Sequence, residues 1–195
     1  GPVTHVGPLD HTNRPGTIGL PLPDTEARIV GVDDDRELPP GEVGQLLVRG
    51  PQVMTGYLDD PAATAAVLDD DGWLATGDLA VTDSDGFFRI VDRLKDLVIT
   101  NGMNVYPGEV EEVLRQFPAV ADAAVIGVPD RKRGQRVKAV LALHQGAKYD
   151  RRALEAFLDQ NLAHFKRPKE IEVVRGDLPR NFLGKVLRRR LREDN

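Results

Sequence analysis

Charge reverses sign near residue 92, and this reversal constrains the organisation of the fold more than any other feature of the sequence. Residues 1–92 contain 17 acidic and five basic side chains, whereas residues 93–195 contain 14 acidic and 21 basic ones. A change of this size at one point predicts two modules. Three interpretations of the basic half stay open: it faces nucleic acid, it binds a phosphorylated small molecule, or it docks against the acidic half.

The segment 92–111 lies at this boundary. It begins with a charged string, 92–96 (DRLKD), and continues with a short apolar run at 97–99 that favours a strand. Asn101-Gly102 is typical of a tight hairpin turn, because such turns need positive φ angles. The proline and glutamates that follow suit the first turn of a helix. The pattern predicts an edge hairpin that leads into a helix, behind a charged joint.

The two modules differ in their predicted elements. Alternating apolar residues at 26–32 and 45–49, with frequent turn sequences, predict a β-rich module over 1–92 with a small barrel-like sheet. Residues 93–195 show the order β-β-α-β-β-α-β-α, which predicts an α+β domain. Shorter elements are expected as a helix at 61–68, a strand at 73–76 and a basic helix at 185–192.

Several classes of site are disfavoured by composition. The chain has no cysteine, which excludes disulfides and thiolate zinc sites. Ser84 is the single serine and lies in an acidic turn, which argues against a serine-based triad. The four histidines show no metal-ligand spacing, so no metal site is predicted. No glycine-rich nucleotide motif of the Rossmann or Walker type is present, and no apolar run approaches the ~18 residues that a membrane helix needs.

Three polar signals remain, and each has two interpretations. Asp78 follows a threonine and a glycine after a predicted strand, and it either caps a turn or accepts hydrogen bonds from ribose hydroxyls. Arg93 either forms an ion pair at the joint or binds ribose or phosphate oxygens. Lys185 follows a glycine before the last helix, and it either lies in an ordinary basic loop or binds a carboxylate or phosphate.

Taken in order, five motifs resemble the adenylate-forming superfamily of acyl-CoA synthetases, firefly luciferase and peptide-synthetase adenylation domains. The motifs are GQLLVRGPQVMTGY at 44–57, GWLATGDL at 72–79, the hinge motif at 92–111, PDRKRGQ at 129–135, and FKRP at 165–168 followed by LPRNFLGKVLR at 178–188. The details of these motifs are most similar to bacterial long-chain fatty acid–CoA ligases.

The resemblance implies a nucleotide site, a catalytic lysine and a hinge. Asp78 is expected to hold the ribose hydroxyls of ATP or acyl-AMP, with Arg93 assisting. Lys185 is expected to be the catalytic lysine of adenylation, whose charge offsets the negative charge that grows in the transition state. Lys95 falls on the hinge position, about which the C-terminal module swings between an adenylating pose and a thioester-forming pose.

The resemblance also implies a coenzyme A (CoA) site. The hairpin around Gly102 is expected to line the pantetheine channel, while Arg133 and Lys166 are expected near phosphate groups of CoA. Two positions depart from the pattern of the family. Gln135 replaces the usual glutamate, and Asn101 stands where several relatives carry serine or lysine.

The implied activity is that of an ATP-dependent long-chain fatty acid–CoA ligase using fatty acid, ATP, CoA and Mg²⁺. The Mg²⁺ site, the phosphate loop and the acyl tunnel are expected upstream, in an N-terminal large domain, so we expect the 195-residue chain alone to be inactive. No nucleic acid partner and no integral membrane segment are expected. A cytoplasmic location is expected, with peripheral membrane contact left open. The alternatives are a fatty acyl-AMP ligase, an aryl-CoA ligase, or a non-catalytic module that binds a nucleotide or a partner.

Overall fold

The computed structural model describes residues 4–7 and 14–193. The chain divides into two compact units, Gly1–Lys95 and Asp96–Asn195. The division falls inside the charged string 92–96. Each unit has its own sheet and its own hydrophobic core.

The first unit is built on a four-stranded antiparallel sheet with the order β3-β4-β5-β6. Its elements are β1 (His5–Val6), β2 (Leu20–Pro21), β3 (Glu26–Val30), β4 (Gly44–Arg49), α1 (Pro61–Ala65), β5 (Leu74–Thr82) and β6 (Phe88–Arg93), and β1 pairs with β2 separately. Alternate residues of β4 point inward, as a strand with one buried face requires. Leu46 and Val48 therefore pack with Ile29, Ala80 and Phe88 in the core of this unit.

The expected mixed fold is confirmed, but the barrel-like sheet of the first module is not. Among the described residues its four-stranded sheet is open, with β3 and β6 at the two ends of the strand order. The strand expected at 73–76 also continues further, to Thr82. Thr76 explains the continuation, because its hydroxyl donates a hydrogen bond to the carbonyl of Leu46 at 2.8 Å across an irregular stretch of the ladder.

The second unit has the predicted order of strands and helices. A 3₁₀ turn (Leu94–Asp96) spans the division between the units. The elements of the second unit are β7 (Val98–Thr100), β8 (Met103–Val105), α2 (Pro107–Arg115), β9 (Val120–Asp130), β10 (Gly134–Leu143), α3 (Arg151–Asn161), a second 3₁₀ turn (His164–Lys166), β11 (Glu170–Val173) and α4 (Arg188–Glu193). The five strands form one sheet. β10 lies at its centre, antiparallel to β9, parallel to β11, and joined to β7 by the pair Gly134–Thr100.

Both faces of this sheet are covered, because successive residues of β9 and β10 point to opposite sides. On one side Val125 and Leu141 pack against Leu114 of α2 and Leu154 of α3. On the other side a second cluster joins the sheet to the C-terminal segment; its buried members are Ala124, Ile126, Val128, Val140, Ala142, Leu178 and Leu191. The C-terminal segment is thus anchored at both ends by buried leucines.

The helix expected at 185–192 begins later than predicted, at Arg188. Lys185 lies instead in a tight loop. The side chain of Asn181 accepts hydrogen bonds from the amides of Leu183 and Lys185, at 3.0 and 2.9 Å. The amide of Leu187 donates to the carbonyl of Pro179 at 2.7 Å. These bonds hold the backbone in a hairpin until Arg188, which a count of helix-forming residues does not reveal.

Candidate active site

Asp78 and Arg93 are brought together by the register of β5 and β6, where they are directly opposed. Gln45 pairs with Leu79 and Leu47 pairs with Ala75, so residues 76–78 of β5 face only one residue of β4. This bulge bends the strand and changes the direction of its side chains, as bulges beside functional sites commonly do. The Nε atom of Arg93 lies 3.6 Å from Oδ1 of Asp78, and both side chains remain partly exposed.

A cavity of about 400 Å³ opens beside this pair. Its lining consists of Thr76, Gly77, Asp78, Arg93, Leu94 and Lys95. Asp78 offers carboxylate oxygens that accept hydrogen bonds from a diol, and Arg93 offers a guanidinium fork that suits oxygen ligands. The residues present therefore fit a ribose, and the structure joins two of the three polar signals of the sequence in one cavity.

Asp78 also borders a second cavity, of about 430 Å³, on the same sheet. This cavity is mainly apolar, with Leu46, Val48, Leu74 and Ile90 in its lining. Sequence reasoning missed it, because these residues are separated along the chain and meet only through strand pairing. The alternation of apolar residues in β4 was the available signal.

Lys185 projects from the loop 180–186, which we call the Lys185 loop. Arg180 and Val186 pair at its base, and the amide of Gly184 donates to the carbonyl of Asn181 at 2.9 Å. Gly184 has φ +78°, a left-handed conformation that favours glycine at this position. Lys185 is exposed, and within residues 4–7 and 14–193 its ammonium group has no hydrogen bond or ion pair. The loop thus exposes the ammonium group of Lys185 on a backbone that is held by hydrogen bonds.

The hairpin between β7 and β8 forms as predicted. Asn101 and Gly102 have φ values of +50° and +75°, which a tight two-residue turn requires. A Cβ atom on Gly102 would meet no atom within 4 Å, so the side of the hairpin at this glycine is open. The side chain of Gln135 holds the hairpin to β10, since its Oε1 accepts a hydrogen bond from the amide of Ile99 at 2.9 Å. The side-chain amide of Gln135 therefore anchors β7 to β10.

Arg133 lies next to this hairpin. The amide of Asn101 donates to its carbonyl at 2.9 Å. A cavity of about 130 Å³ is lined here by Thr100, Asn101, Met103, Arg133, Val137, His164, Phe165 and Lys169. Hydrogen bonds from the amides of Lys132 and Arg133 hold the pKa of Asp130 below its ordinary value, so the turn before β10 is organised by an ionised carboxylate. The cationic lining fits a phosphate group.

Lys166 has a partner within its own unit. Its ammonium group lies 2.6 Å from Oε1 of Glu109 at the start of α2, and its side chain is 22% exposed. A phosphate would have to compete with this carboxylate. Lys169, which sequence reasoning did not select, lies in the cavity beside Arg133 instead.

Much of the positive charge of the second unit is neutralised internally. Ion pairs with acidic residues of the same unit involve Arg115, Arg133, Arg136, Lys138, Arg151, Lys166, Arg167, Arg180, Arg188, Arg189 and Arg192. This pairing weakens the interpretation that the basic half is a nucleic acid surface. Among the described residues no group of three or more His, Cys, Asp or Glu side chains is placed to hold a metal ion.

Two family models match this chain, one toward each of its ends. Residues 109–185 match the family model of the AMP-binding enzyme C-terminal domain, and residues 1–58 match that of the AMP-binding enzyme. The chain belongs to the AMP-binding enzyme family. The resemblance to adenylate-forming enzymes is therefore confirmed.

Relatives of this AMP-binding chain include ligases with different substrates. It is 48% identical over 193 residues to a long-chain-fatty-acid–CoA ligase of Bacillus subtilis, covering 99% of this chain and 34% of that protein. It is also 48% identical over 177 residues to a methyl-dioxo-octahydroindenyl-propanoyl:CoA ligase of Mycobacterium tuberculosis, covering 91% of this chain and 32% of that protein. The chain thus spans about a third of the length of these curated relatives.

Among solved structures, ATP-bound MatB from Rhodopseudomonas palustris superposes with a TM-score of 0.90 at 42% identity, covering 96% of this chain and 37% of that one. No helix in the described part of this AMP-binding chain is long and apolar enough to cross a membrane.

Proposed function

We propose that this chain is part of an ATP-dependent long-chain fatty acid–CoA ligase. In the reaction, a carboxylate oxygen of the acid attacks the α-phosphorus of ATP, and pyrophosphate leaves to give acyl-AMP. The sulfur of CoA then attacks the acyl carbon, and AMP leaves. The observation that carries the proposal is the exposed cation Lys185, which has no ion-pair partner among the described residues, in a chain that also offers a diol acceptor at Asp78.

Lys185 supplies electrostatic stabilisation in the first step. Both the incoming carboxylate and the α-phosphate are negative, so a nearby ammonium lowers the energy of the transition state. Asp78 accepts hydrogen bonds from the ribose hydroxyls, and Arg93, 3.6 Å away, contributes a donor for ribose or phosphate oxygens. The protein needs no nucleophile of its own, because the second nucleophile is the thiol of CoA.

The second step uses the hairpin around Gly102 rather than the Lys185 loop. The open side of Gly102 leaves room for a narrow chain such as pantetheine. Arg133 and Lys169 line the neighbouring cavity and offer charge to a phosphate of CoA. Lys95, exposed in the 3₁₀ turn at the boundary of the two units, is proposed as the hinge between the steps.

The experiment that tests this function is carried out on the full-length enzyme that contains this chain. Lys185→Ala should reduce acyl-AMP formation, measured by ATP–pyrophosphate exchange, by about 100-fold or more. Conversion of supplied acyl-AMP to acyl-CoA should stay within about twofold, because that step does not require the ammonium. Equal loss of both half-reactions would contradict the assigned role.

The second candidate function is a CoA ligase that acts on an acid other than a long-chain fatty acid. It is favoured by the 48% identity to the M. tuberculosis ligase, whose name gives a bicyclic propanoyl group. An aryl-CoA ligase belongs to the same class, and a fatty acyl-AMP ligase would stop after the first step. A panel of long-chain, aryl and polycyclic acids, with product analysis for acyl-AMP and acyl-CoA, separates these candidates. The 195-residue chain alone should form neither product.

A further inference from the structure

A chain of ion pairs runs through the second unit from Asp96 to the segment that carries Lys185. Oδ1 of Asp96 accepts a hydrogen bond from Arg192 at 2.6 Å, and Oδ2 lies 3.5 Å from a guanidinium nitrogen of Arg188. Arg188 also donates to both carboxylate oxygens of Glu111, at 2.7 and 2.8 Å. The side chains of Asp96 and Glu111 are each only 8% exposed.

This geometry fixes Arg188 in one position. A nearly buried carboxylate is stable only with a paired charge and satisfied hydrogen bonds. Glu111 is held from a second side as well, because its Oε1 accepts the amide of Val125 in β9 at 2.8 Å. The planar guanidinium of Arg188 can meet two carboxylates at once, which the single ammonium of a lysine does less well.

Arg188 is three residues after Lys185, and the apolar packing of the Lys185 loop is confined to its base, where Val186 packs against the cluster that contains Leu178 and Leu191. Its tip residues Phe182 and Leu183 are 95% and 67% exposed. Polar contacts fix the other side of the loop, where Arg180 bonds to the carbonyl of Gly184 and to Asp122 of β9. Charged anchors therefore hold the loop at both of its ends, in addition to the hydrogen bonds that Asn181 accepts within it.

We propose that Asp96, Glu111 and Arg188 are positioning residues for Lys185. They join the Lys185 loop to Asp96, the residue that directly follows the proposed hinge at Lys95. A rotation at Lys95 then carries the loop with the unit as one body, and the ammonium arrives at a defined point. This inference rests on the proposed role of Lys185 in adenylation.

The consequence is selective for one half-reaction. A catalytic group displaced by about 1 Å can lose up to about 100-fold in rate. Loss of the anchor should therefore slow adenylation while sparing thioester formation, which does not use Lys185. A purely structural role would lower both half-reactions together.

The test compares Arg188→Lys, which keeps the charge and removes the fork, with Arg189→Lys on the same helix. Arg189 is 89% exposed and pairs with Glu193 at 2.7 Å, so it is a matched control. In the full-length enzyme, Arg188→Lys should lower ATP–pyrophosphate exchange at least about tenfold and leave acyl-AMP thiolysis within about twofold. Amide hydrogen exchange at residues 183–186 should become faster in Arg188→Lys and remain unchanged in Arg189→Lys.

Each outcome decides the proposal. Equal behaviour of the two arginine variants, or parallel loss of both half-reactions, overturns it. If Arg188→Lys does not fold, Glu111→Gln replaces it, because glutamine keeps the shape and removes the charge that Arg188 binds. Lys185→Ala in the same series separates the two hypotheses: intact adenylation in that variant rejects the proposed function, whereas its loss beside a normal Arg188→Lys rejects only the positioning role.

Discussion

The neighbours of Asp78 determine what its carboxylate can bind. In the sequence it is compatible with a turn cap. In the structure its amide donates to the hydroxyl of Thr76 at 3.1 Å, while its carboxylate faces Arg93 and a cavity of about 400 Å³. The backbone amide of Asp78 thus makes the local hydrogen bond, and the carboxylate can accept hydrogen bonds from a ligand.

Asp78→Asn should raise the KM for ATP in the full-length enzyme by about tenfold or more. The amide keeps the shape but loses the charge that strengthens hydrogen bonds from ribose hydroxyls, since a hydrogen bond to a charged acceptor contributes about 1.5–3 kcal/mol and one to a neutral acceptor about 0.5–1.5 kcal/mol. Asp70→Asn, in an exposed acidic turn, is the control. An unchanged KM for ATP in Asp78→Asn would remove this residue from the nucleotide site.

Individual side chains also mark the limit of sequence reasoning. The helix propensity of residues 185–192 predicted a helix that begins at Lys185, three residues earlier than the helix of the structure. The side chain of Asn181, which competes for the backbone amides of the loop, decides the structure. The sequence predicted that Lys166 binds a phosphate. It did not reveal the ion pair with Glu109, because Glu109 lies 57 positions away.

Among the elements, the β7–β8 hairpin was the most predictable, because its turn residues and apolar runs are local signals. Its attachment was not predictable, since Gln135 reaches it from a strand 36 residues along the chain. The open sheet of the first unit was missed for the same reason: short strands with turns are common to barrels and open sheets, and only pairing distinguishes them.

Gln135→Leu should loosen this hairpin selectively. The amide of Ile99 loses its acceptor, so its hydrogen exchange should become faster, and thioester formation should fall more than adenylation in the full-length enzyme. Gln160→Leu, on the exposed side of α3, makes the same substitution without touching the hairpin. Unchanged exchange at Ile99 would show that the backbone ladder alone holds β7.

The parallel pair β10–β11 carries a pH-dependent contribution to stability. Lys138, 5% exposed, lies 3.0 Å from Glu170 and 2.8 Å from Glu172. Burial alone would lower the pKa of Lys138, but hydrogen bonds to Glu172 and Glu170 outweigh it and raise the pKa above its ordinary 10.5. The hydrogen bond from Lys138 holds the pKa of Glu170 below its ordinary 4.5.

These shifts set the direction of the pH dependence. A carboxyl with a lowered pKa stabilises the fold above pH 4.5, and this contribution is lost as the pH falls through its folded pKa. A lysine with a raised pKa stabilises the fold below pH 10.5 and loses this effect above it. The Tm of Lys138→Met should therefore fall less steeply than that of the unsubstituted chain between about pH 6 and about pH 3. The exposed Lys148→Met is the control, and identical slopes in the two variants would refute the assignment.

For the whole molecule, the reversal of charge and the division of the structure fall within a few residues of each other, at 92/93 and at Lys95/Asp96. Each unit has its own hydrophobic core, and the charge reversal lies close to the division between them. The sequence did not reveal that many basic residues of the second unit form ion pairs within that unit, because several of their partners are distant along the chain.

Lys95→Pro tests the hinge in the full-length enzyme. Proline fixes φ near −65° and removes an amide hydrogen, so rotation at this position becomes restricted. One half-reaction should fall by about tenfold or more while the other is spared. Lys148→Pro, at an exposed site in the second unit, controls for the general effect of proline. Equal impairment of both half-reactions would mean that residue 95 is only a linker.

We propose that the second unit serves the two half-reactions through two different loops, those of Lys185 and Gly102. The most direct measurement compares Lys185→Ala and Gly102→Leu in the full-length enzyme, with both half-reactions assayed separately. We expect opposite effects in the two variants. Lys185→Ala should lose acyl-AMP formation and keep thiolysis, whereas Gly102→Leu should keep acyl-AMP formation and lose thiolysis. If both variants lose the same half-reaction, or each loses both equally, the assignment of two loops to two steps is wrong.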